Sequence, residues 1–458
     1  MYLIFDTETT GLPKNWNAPI TDSDNWPRCI QLAWQVHNDM GELVEVKNFI
    51  IKPEGFDIPF NASKIHGIST ERALKTGQDL SFVLKEFNEA LSKVKFVIGH
   101  NVNFDLNIVG AEFHRAGIES TMMEMNKLDS CSETSASLCQ IPGGRGGKFK
   151  LPKLQELHQF LFQEEFAEAH NASADVEATV RCFLELIRKK VLSLAELEQE
   201  KGYFEKFREA NPEPIALIGL NIKPYGEEEE IEEETETNSQ TKTASKLSKS
   251  EIAELNFSHL HNHSQFSILQ STSDINSLVK AAVSNKMKGL ALTDTGNMMG
   301  AFHFVRAVNN HNKGIQKRKE ENPENNETEL KAIVGCEFFV CNDHTDKSHK
   351  DNGALVVILA KNKNGYHNLA KLSSISNIDG FYYVPRIDKK LIEQYKEDLI
   401  ILSGGVYGEL ANLILNVGEK QAEESLIWWK ERFGDDFYIE LVRHGEEEEE
   451  YANKVLIN

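Results

Sequence analysis

What the chain lacks narrows its class first. Its six cysteines (29, 131, 139, 182, 336 and 341) are scattered, with no Cys-x-x-Cys pair. That spacing excludes a zinc ribbon and reads as reduced thiols in a cytoplasmic protein rather than a disulfide scaffold. No apolar run approaches a membrane span, and the N-terminus has no signal-peptide pattern, so no membrane partner is expected. Positive charge is also in deficit: the 458 residues carry a formal net charge of −21. Nucleic-acid partners usually demand basic patches. However, eight glutamates lie in 227–236 and five in 446–450. The remainder is only mildly acidic, and carboxylates neutralised by bound cations are compatible with a phosphate-bearing partner.

The length suits two or three domains. Tyr2–Phe5 reads as a buried strand followed immediately by Asp6 and Glu8. Side chains two apart on an extended chain share a side, so both carboxylates leave the sheet together. Such a pair repels itself unless a cation intervenes, and hard oxygen ligands favour Mg²⁺ or Mn²⁺. Gly11 lets the backbone turn. Further strands are expected at Ile30–Val36, Val44–Ile51 and Phe96–Ile98, with an amphipathic helix through Leu80, Val83, Leu84, Phe87 and Leu91.

Asp105 lies at a strand-to-helix junction, where α/β enzymes place ligands and where an aspartate also serves as an N-cap. His170 and Asp175 flank the start of a helix carrying Val176, Val180 and Phe183, which Asn171 or Ser173 would cap. Leu194–Ala210 has a helical pattern. From Lys223 to Ser250 apolar residues almost vanish, which predicts an extended, self-repelling linker.

Beyond the linker, His261 and His263 lie two apart on an expected strand and would share a face. Helices are expected around Ile275–Val283, Gly300–Val308 and Tyr366–Ile375. Strands are expected at Leu290–Thr293, Ala332–Val340, Leu355–Ala360, Leu399–Leu402 and Phe437–Leu441. Repeated β-α order fits a parallel barrel, with 312–330 as a solvated insertion.

Phe-Asp6-Thr-Glu8-Thr-Thr-Gly, His-Asn-x-x-Phe-Asp105 and His170-x-x-x-x-Asp175 together resemble the three motifs of the DEDDh 3′→5′ exonucleases, the family of the proofreading epsilon subunit of bacterial DNA polymerase III. The resemblance covers roughly 1–190 and includes Lys64-Ile-His66-Gly-Ile-Ser69. It implies a ribonuclease H-like mixed sheet with flanking helices. Asp6, Glu8, Asp105 and Asp175 would hold two Mg²⁺ or Mn²⁺ ions, His170 would act as general base, and Thr7 and His66 would contact substrate.

His-Leu-His261-Asn-His263-Ser, Gly289-Leu-Ala-Leu-Thr-Asp294, Val334-Gly-Cys-Glu337 and Tyr438-Ile-Glu-Leu441 resemble the PHP domain that opens the polymerase III alpha subunit, a distorted (β/α)₇ barrel incomplete here at its C-terminus. The implied domains are an exonuclease at 1–190, a helical extension and acidic linker at 191–255, and a partial PHP domain at 256–458. His261, His263 and Glu337 are the metal-ligand positions that remain. Thr295 and Leu355 stand where histidine is expected, Gln270 where aspartate is, and Gly405 where cysteine is, so a degenerate, structural module without its metals is implied.

The joint resemblance implies proofreading on DNA 3′ ends, with replisome partners such as the sliding clamp, in a fragment or truncated product of a longer replicase. A free-standing exonuclease trimming short RNA and a non-catalytic assembly platform are the competing readings.

Overall fold

A computed structural model describes residues 1–164, 171–217 and 257–458, so the expected linker at 223–250 and His170 lie outside the described residues. Two compact units emerge, one within 1–217 and the other comprising nearly all of 257–458. No described helix is long and apolar enough to cross a membrane.

The first unit is built on a five-stranded sheet of β1 (Tyr2–Thr9), β2 (Cys29–His37), β3 (Leu43–Ile50), β4 (Phe96–Gly99) and β5 (Asn126–Asp129), in the order β3-β2-β1-β4-β5. β1 pairs antiparallel with β2 and parallel with β4, so the sheet is mixed. Helices α1 (Phe60–His66), α2 (Thr70–Thr76), α3 (Leu80–Leu91), α4 (Val102–Ala116), α5 (Glu133–Cys139), α6 (Leu154–Phe162), α7 (Ala172–Arg188) and α8 (Tyr203–Ala210) flank it. This is the mixed sheet with flanking helices that the ribonuclease H-like expectation requires.

Strand parity organises the packing. Leu3 and Phe5 join the buried cluster of Val83 and Phe87 of α3 and Val109 of α4. Tyr2 and Ile4 join the opposite cluster, with Val176, Val180 and Phe183 of α7. Trp34, fully buried, crosses edge-on to Phe87 with ring centroids 5.2 Å apart.

Three expectations change here. β1 does not stop at Phe5; pairing with β2 extends it through Thr9, with Asp6 opposite Ala33 and Glu8 opposite Gln31. The carboxylates therefore project from the strand itself rather than from the turn after it. Asp105 is no N-cap: Asn101 occupies that position and Asp105 lies in the first turn of α4. The helical pattern over Leu194–Ala210 yields a helix only from Tyr203, because Gly202, at φ +95°, breaks the segment just before it.

The second unit carries β6 (Gly289–Leu292), β7 (Lys331–Cys341), β8 (Ala354–Ala360), β9 (Arg386–Asp388), β10 (Leu399–Leu402) and β11 (Phe437–Tyr438). Their order is β11-β10-β8-β7-β6, with β9 pairing β7. β6–β7, β7–β9 and β10–β11 are parallel, as β-α alternation predicts. β8, however, runs antiparallel to both β7 and β10. No helix separates β7 from β8, so the chain returns beside itself as a long hairpin.

The helix Ala301–Glu321 continues through the first half of the expected insertion, anchored by buried Phe304, Val308 and Ile315. The segment bearing His261 and His263 is irregular rather than a strand. Instead of a ladder, it meets the β6 region through single bonds from Ala291 N–H to the His259 carbonyl and from Thr293 N–H to the Asn262 carbonyl, each 2.9 Å.

Candidate active site

β1 overshoots β4, whose paired run ends at Ile4–Ile98. Asp6 and Glu8 lie on this overhang. By parity they face the α7 side, as Tyr2 and Ile4 do, and one carboxylate oxygen from each of Asp6, Glu8 and Asp175 lies within 4.8 Å of the others. Asp175 occupies the first turn of α7, whose start is capped by Asn171, its Oδ1 accepting from Ser173 N–H at 3.0 Å.

Asp105 stands outside that set of three. Thr7 points to the α4 side of β1 and donates its backbone N–H (3.1 Å) and hydroxyl (2.7 Å) to Asp105 Oδ1. Thr7 and Asp105 are both buried. The fourth carboxylate is thus held by the residue between the first two, near enough for its charge to act on both Asp6 and Glu8.

The electrostatics follow from this crowding. Burial, and then the charges of Asp105, Asp175 and Glu8, push the Asp6 carboxyl well above its ordinary range. Burial, with Asp175 and Asp105, pushes Glu8 up to about 8. Burial raises Asp105 to about 7 even though Thr7 donates to it twice. Carboxyl groups are crowded here, and an all-oxygen donor set fits hard divalent ions.

His170 lies outside the described residues. His66 sits buried at the end of α1, where burial lowers it to about 4 and keeps it neutral. Its Nδ1 accepts from Ile68 N–H at 3.1 Å, and its buried Nε2 has no partner among the described residues.

Sequence reasoning missed Gln31. Fully buried opposite Glu8, its Oε1 accepts the Ala172 N–H at 3.2 Å and its Nε2 donates to Asn48 at 2.8 Å. It therefore ties β2 to the start of α7 and so positions Asp175. A glutamine inside a strand buried on both faces was the available signal, since such a group must find partners.

In the second unit His261, His263 and Glu337 do converge, with ligand atoms within 4.8 Å. His261 Nε2 lies 3.0 Å from Glu337 Oε1, and its Nδ1 lies 2.8 Å from Glu440, a residue not singled out as a ligand from sequence. His263 Nε2 is 3.3 Å from Glu337 Oε2, and the Thr295 hydroxyl is 2.6 Å from both Glu337 and Gln270.

Burial opposes charge on His261, but hydrogen bonds with Glu337 and Glu440 outweigh it and hold the ring up to about 9. Burial likewise opposes charge on Glu337, and contacts with His261, His263 and Thr295 bring it down to about 2. An imidazolium thus lies between two carboxylates. His263 Nε2 and Glu440 Oε2 are buried without a hydrogen-bond partner among the described residues, and the ligand atoms of His261, His263 and Glu337 lie close enough together to hold one ion. At Gly405, with φ +59°, an added Cβ would lie 2.5 Å from Val442, so any larger residue there requires Val442 to move.

Residues 3–183 match the Exonuclease family (RNase_T) and residues 259–444 match the PHP domain family. The DNA polymerase III subunit alpha of Borreliella burgdorferi is 37% identical over 205 residues, covering 44% of this chain and 16% of that protein. The corresponding subunit of Treponema pallidum is 37% identical over 211 residues, covering 45% and 17%. The chain thus spans about a sixth of the length of these relatives. Among solved structures, Escherichia coli exonuclease I in complex with a dA16 oligonucleotide aligns with TM-score 0.33 and 22% identity, over 41% of this chain and 40% of that one. Exonuclease I from Methylocaldum szegediense aligns with TM-score 0.33 and 23% identity, over 41% and 40%. The chain therefore joins an exonuclease-family domain to a PHP domain, and its homologues are DNA polymerase III alpha subunits.

Proposed function

We propose that the first unit is a 3′→5′ exonuclease that releases nucleoside 5′-monophosphates from DNA 3′ ends, and that it is the proofreading part of a replicative polymerase III alpha chain. The observation that carries this reading is the convergence of Asp6, Glu8 and Asp175 within 4.8 Å, with Asp105 gripped by the intervening Thr7. Asp6, Glu8, Asp175 and Asp105 would hold two Mg²⁺ or Mn²⁺ ions. A bound pair of such ions supplies a nucleophilic water at neutral pH and offsets charge at the phosphorus.

The chain's own groups do the rest. Thr7 fixes the orientation of Asp105, and Gln31 sets the start of α7 and with it Asp175. His170 takes the proton of the attacking water as its oxygen bonds to phosphorus. The bond from phosphorus to the departing 3′ oxygen breaks, and that oxygen leaves with a proton from solvent. His66 is read as a substrate contact; its Nε2 is buried and has no hydrogen-bond partner among the described residues. For Thr7 the favoured role is positioning, since its hydroxyl already serves Asp105.

The PHP unit is read as a structural module that braces the polymerase and keeps the exonuclease nearby. Tethering raises the effective concentration of the editing site at a strand end. The sliding clamp is the expected partner class, in the cytoplasm.

The test is hydrolysis of a labelled primer-template with a mismatched 3′ terminus, in Mg²⁺ or Mn²⁺, by the parent, Asp6→Ala and His170→Ala. Nucleotide release from the 3′ end, lost in both variants, is the expected result. Preference for short RNA would transfer the reading to RNA trimming, and silence in the parent would favour an assembly platform.

A further inference from the structure

The loop joining β1 to β2 is held more firmly than a turn requires. Thr10 and Arg28 close its neck, with Thr10 N–H to the Arg28 carbonyl at 3.0 Å and Arg28 N–H to Thr10 Oγ1 at 2.9 Å. Inside it, buried Asn25 accepts the Asn15 N–H at 2.7 Å and donates back to the Asn15 carbonyl at 2.9 Å. The Trp26 indole donates to the Pro19 carbonyl at 3.1 Å, and Arg115 near the end of α4 donates to the carbonyls of Ser23 (2.6 Å) and Trp26 (2.5 Å). The loop is thereby laid along α4, with Ile20 against Gly110.

This brace puts Trp16, the residue after Asn15, on Phe104, with ring centroids 5.7 Å apart and planes tilted by 43°. Phe104 directly precedes Asp105 in the first turn of α4. Trp16 is nevertheless 54% exposed. A lone exposed aromatic is ordinary. Trp16 follows Asn15, which buried Asn25 pins, and it packs on Phe104, the residue next to a site carboxylate, so it presents a held, half-exposed aromatic face. Base–aromatic stacking needs such a face, and it tolerates any base because every base has a π-surface.

We propose that Trp16, backed by Phe104, is a stacking platform for unpaired bases at the end of a single strand entering the carboxylate site. This rests on the exonuclease reading for its substrate class.

The experiment measures binding of 5′-fluorescein oligothymidylate to the full chain by anisotropy, in Ca²⁺. The probes are an intact oligomer and one whose last two 3′ residues are abasic. The proteins are the parent, Trp16→Ala and Trp16→Phe. The parent is expected to bind the intact end about tenfold more tightly than the abasic end. Trp16→Ala should erase that ratio by weakening only the intact oligomer, and Trp16→Phe should keep most of it. Equal binding of both ends by the parent, equal weakening of both ends in Trp16→Ala, or no binding at all would overturn the platform. Hydrolysis in Mg²⁺ is followed in parallel. If the base-dependent ratio holds while no variant hydrolyses DNA, the platform stands and the exonuclease reading falls.

Discussion

Replacing Glu8 with glutamine should make the metal-free first unit more stable, in a way that depends on pH. The Glu8 carboxyl sits at about 8 against an ordinary 4.5, because burial and the neighbouring Asp175 and Asp105 disfavour its charge. A raised carboxyl binds its proton more tightly in the folded than in the unfolded state. Its favourable contribution is complete below the unfolded value and is lost as pH rises toward the folded one. At about 1.4 kcal/mol per pH unit, the ceiling of that loss is about 4 kcal/mol at pH 7.5 and about 1 kcal/mol at pH 5. Glu8 is partly exposed, so water screens the effect, and about half of each figure is the working expectation. Glu8→Gln should therefore gain about 2 kcal/mol over the parent at pH 7.5 in chelator, and about 0.5 kcal/mol at pH 5. The assay is hydrogen exchange of peptides spanning β1 across a urea series, which isolates the first unit. Adding Mg²⁺ or Mn²⁺ should protect the parent more than the variant, since ligands that bind only the folded state stabilise it. Equal stability at both pH values, or the same gain at both, would refute the claim that the carboxylates are held together against their own repulsion.

Thr7→Val removes the hydroxyl that orients Asp105 and should lower kcat on oligonucleotides about 10–100-fold and raise the divalent-ion concentration needed, with little change in KM; unchanged kcat would show that Thr7 does not position Asp105. His261 is held at about 9 and Glu337 at about 2, against ordinary values of 6.5 and 4.5. The histidine's contribution is complete below 6.5 and lost as pH rises through 9, and the glutamate's is complete above 4.5 and lost as pH falls through 2. The second unit should therefore be most stable between pH 4.5 and 6.5 and lose roughly 1–2 kcal/mol on going to pH 9. His261→Asn should flatten that alkaline slope when exchange of β7 peptides is followed; an unchanged slope would place its origin elsewhere.

Much of the site was legible in the chain itself. Asp6 and Glu8 share a face because a strand alternates with period two, and that geometry survives whether the strand ends at Phe5 or at Thr9. Val176, Val180 and Phe183 as the buried stripe of α7 were local signals of the same kind, and of the two cap candidates, Asn171 and Ser173, it is Asn171 that caps the helix. Tertiary structure decided what local pattern could not reach. Thr7 grips Asp105 across 98 positions of sequence, and Gln31 meets the start of α7 across 141. Glu440 comes to His261 across 179, so that a charged ring lies where sequence alone placed only a ligand. Periodicity reports which side of an element faces the core; it carries no information about which distant polar group will meet a buried donor there. That choice is made when the layers pack and every buried polar atom must find a partner.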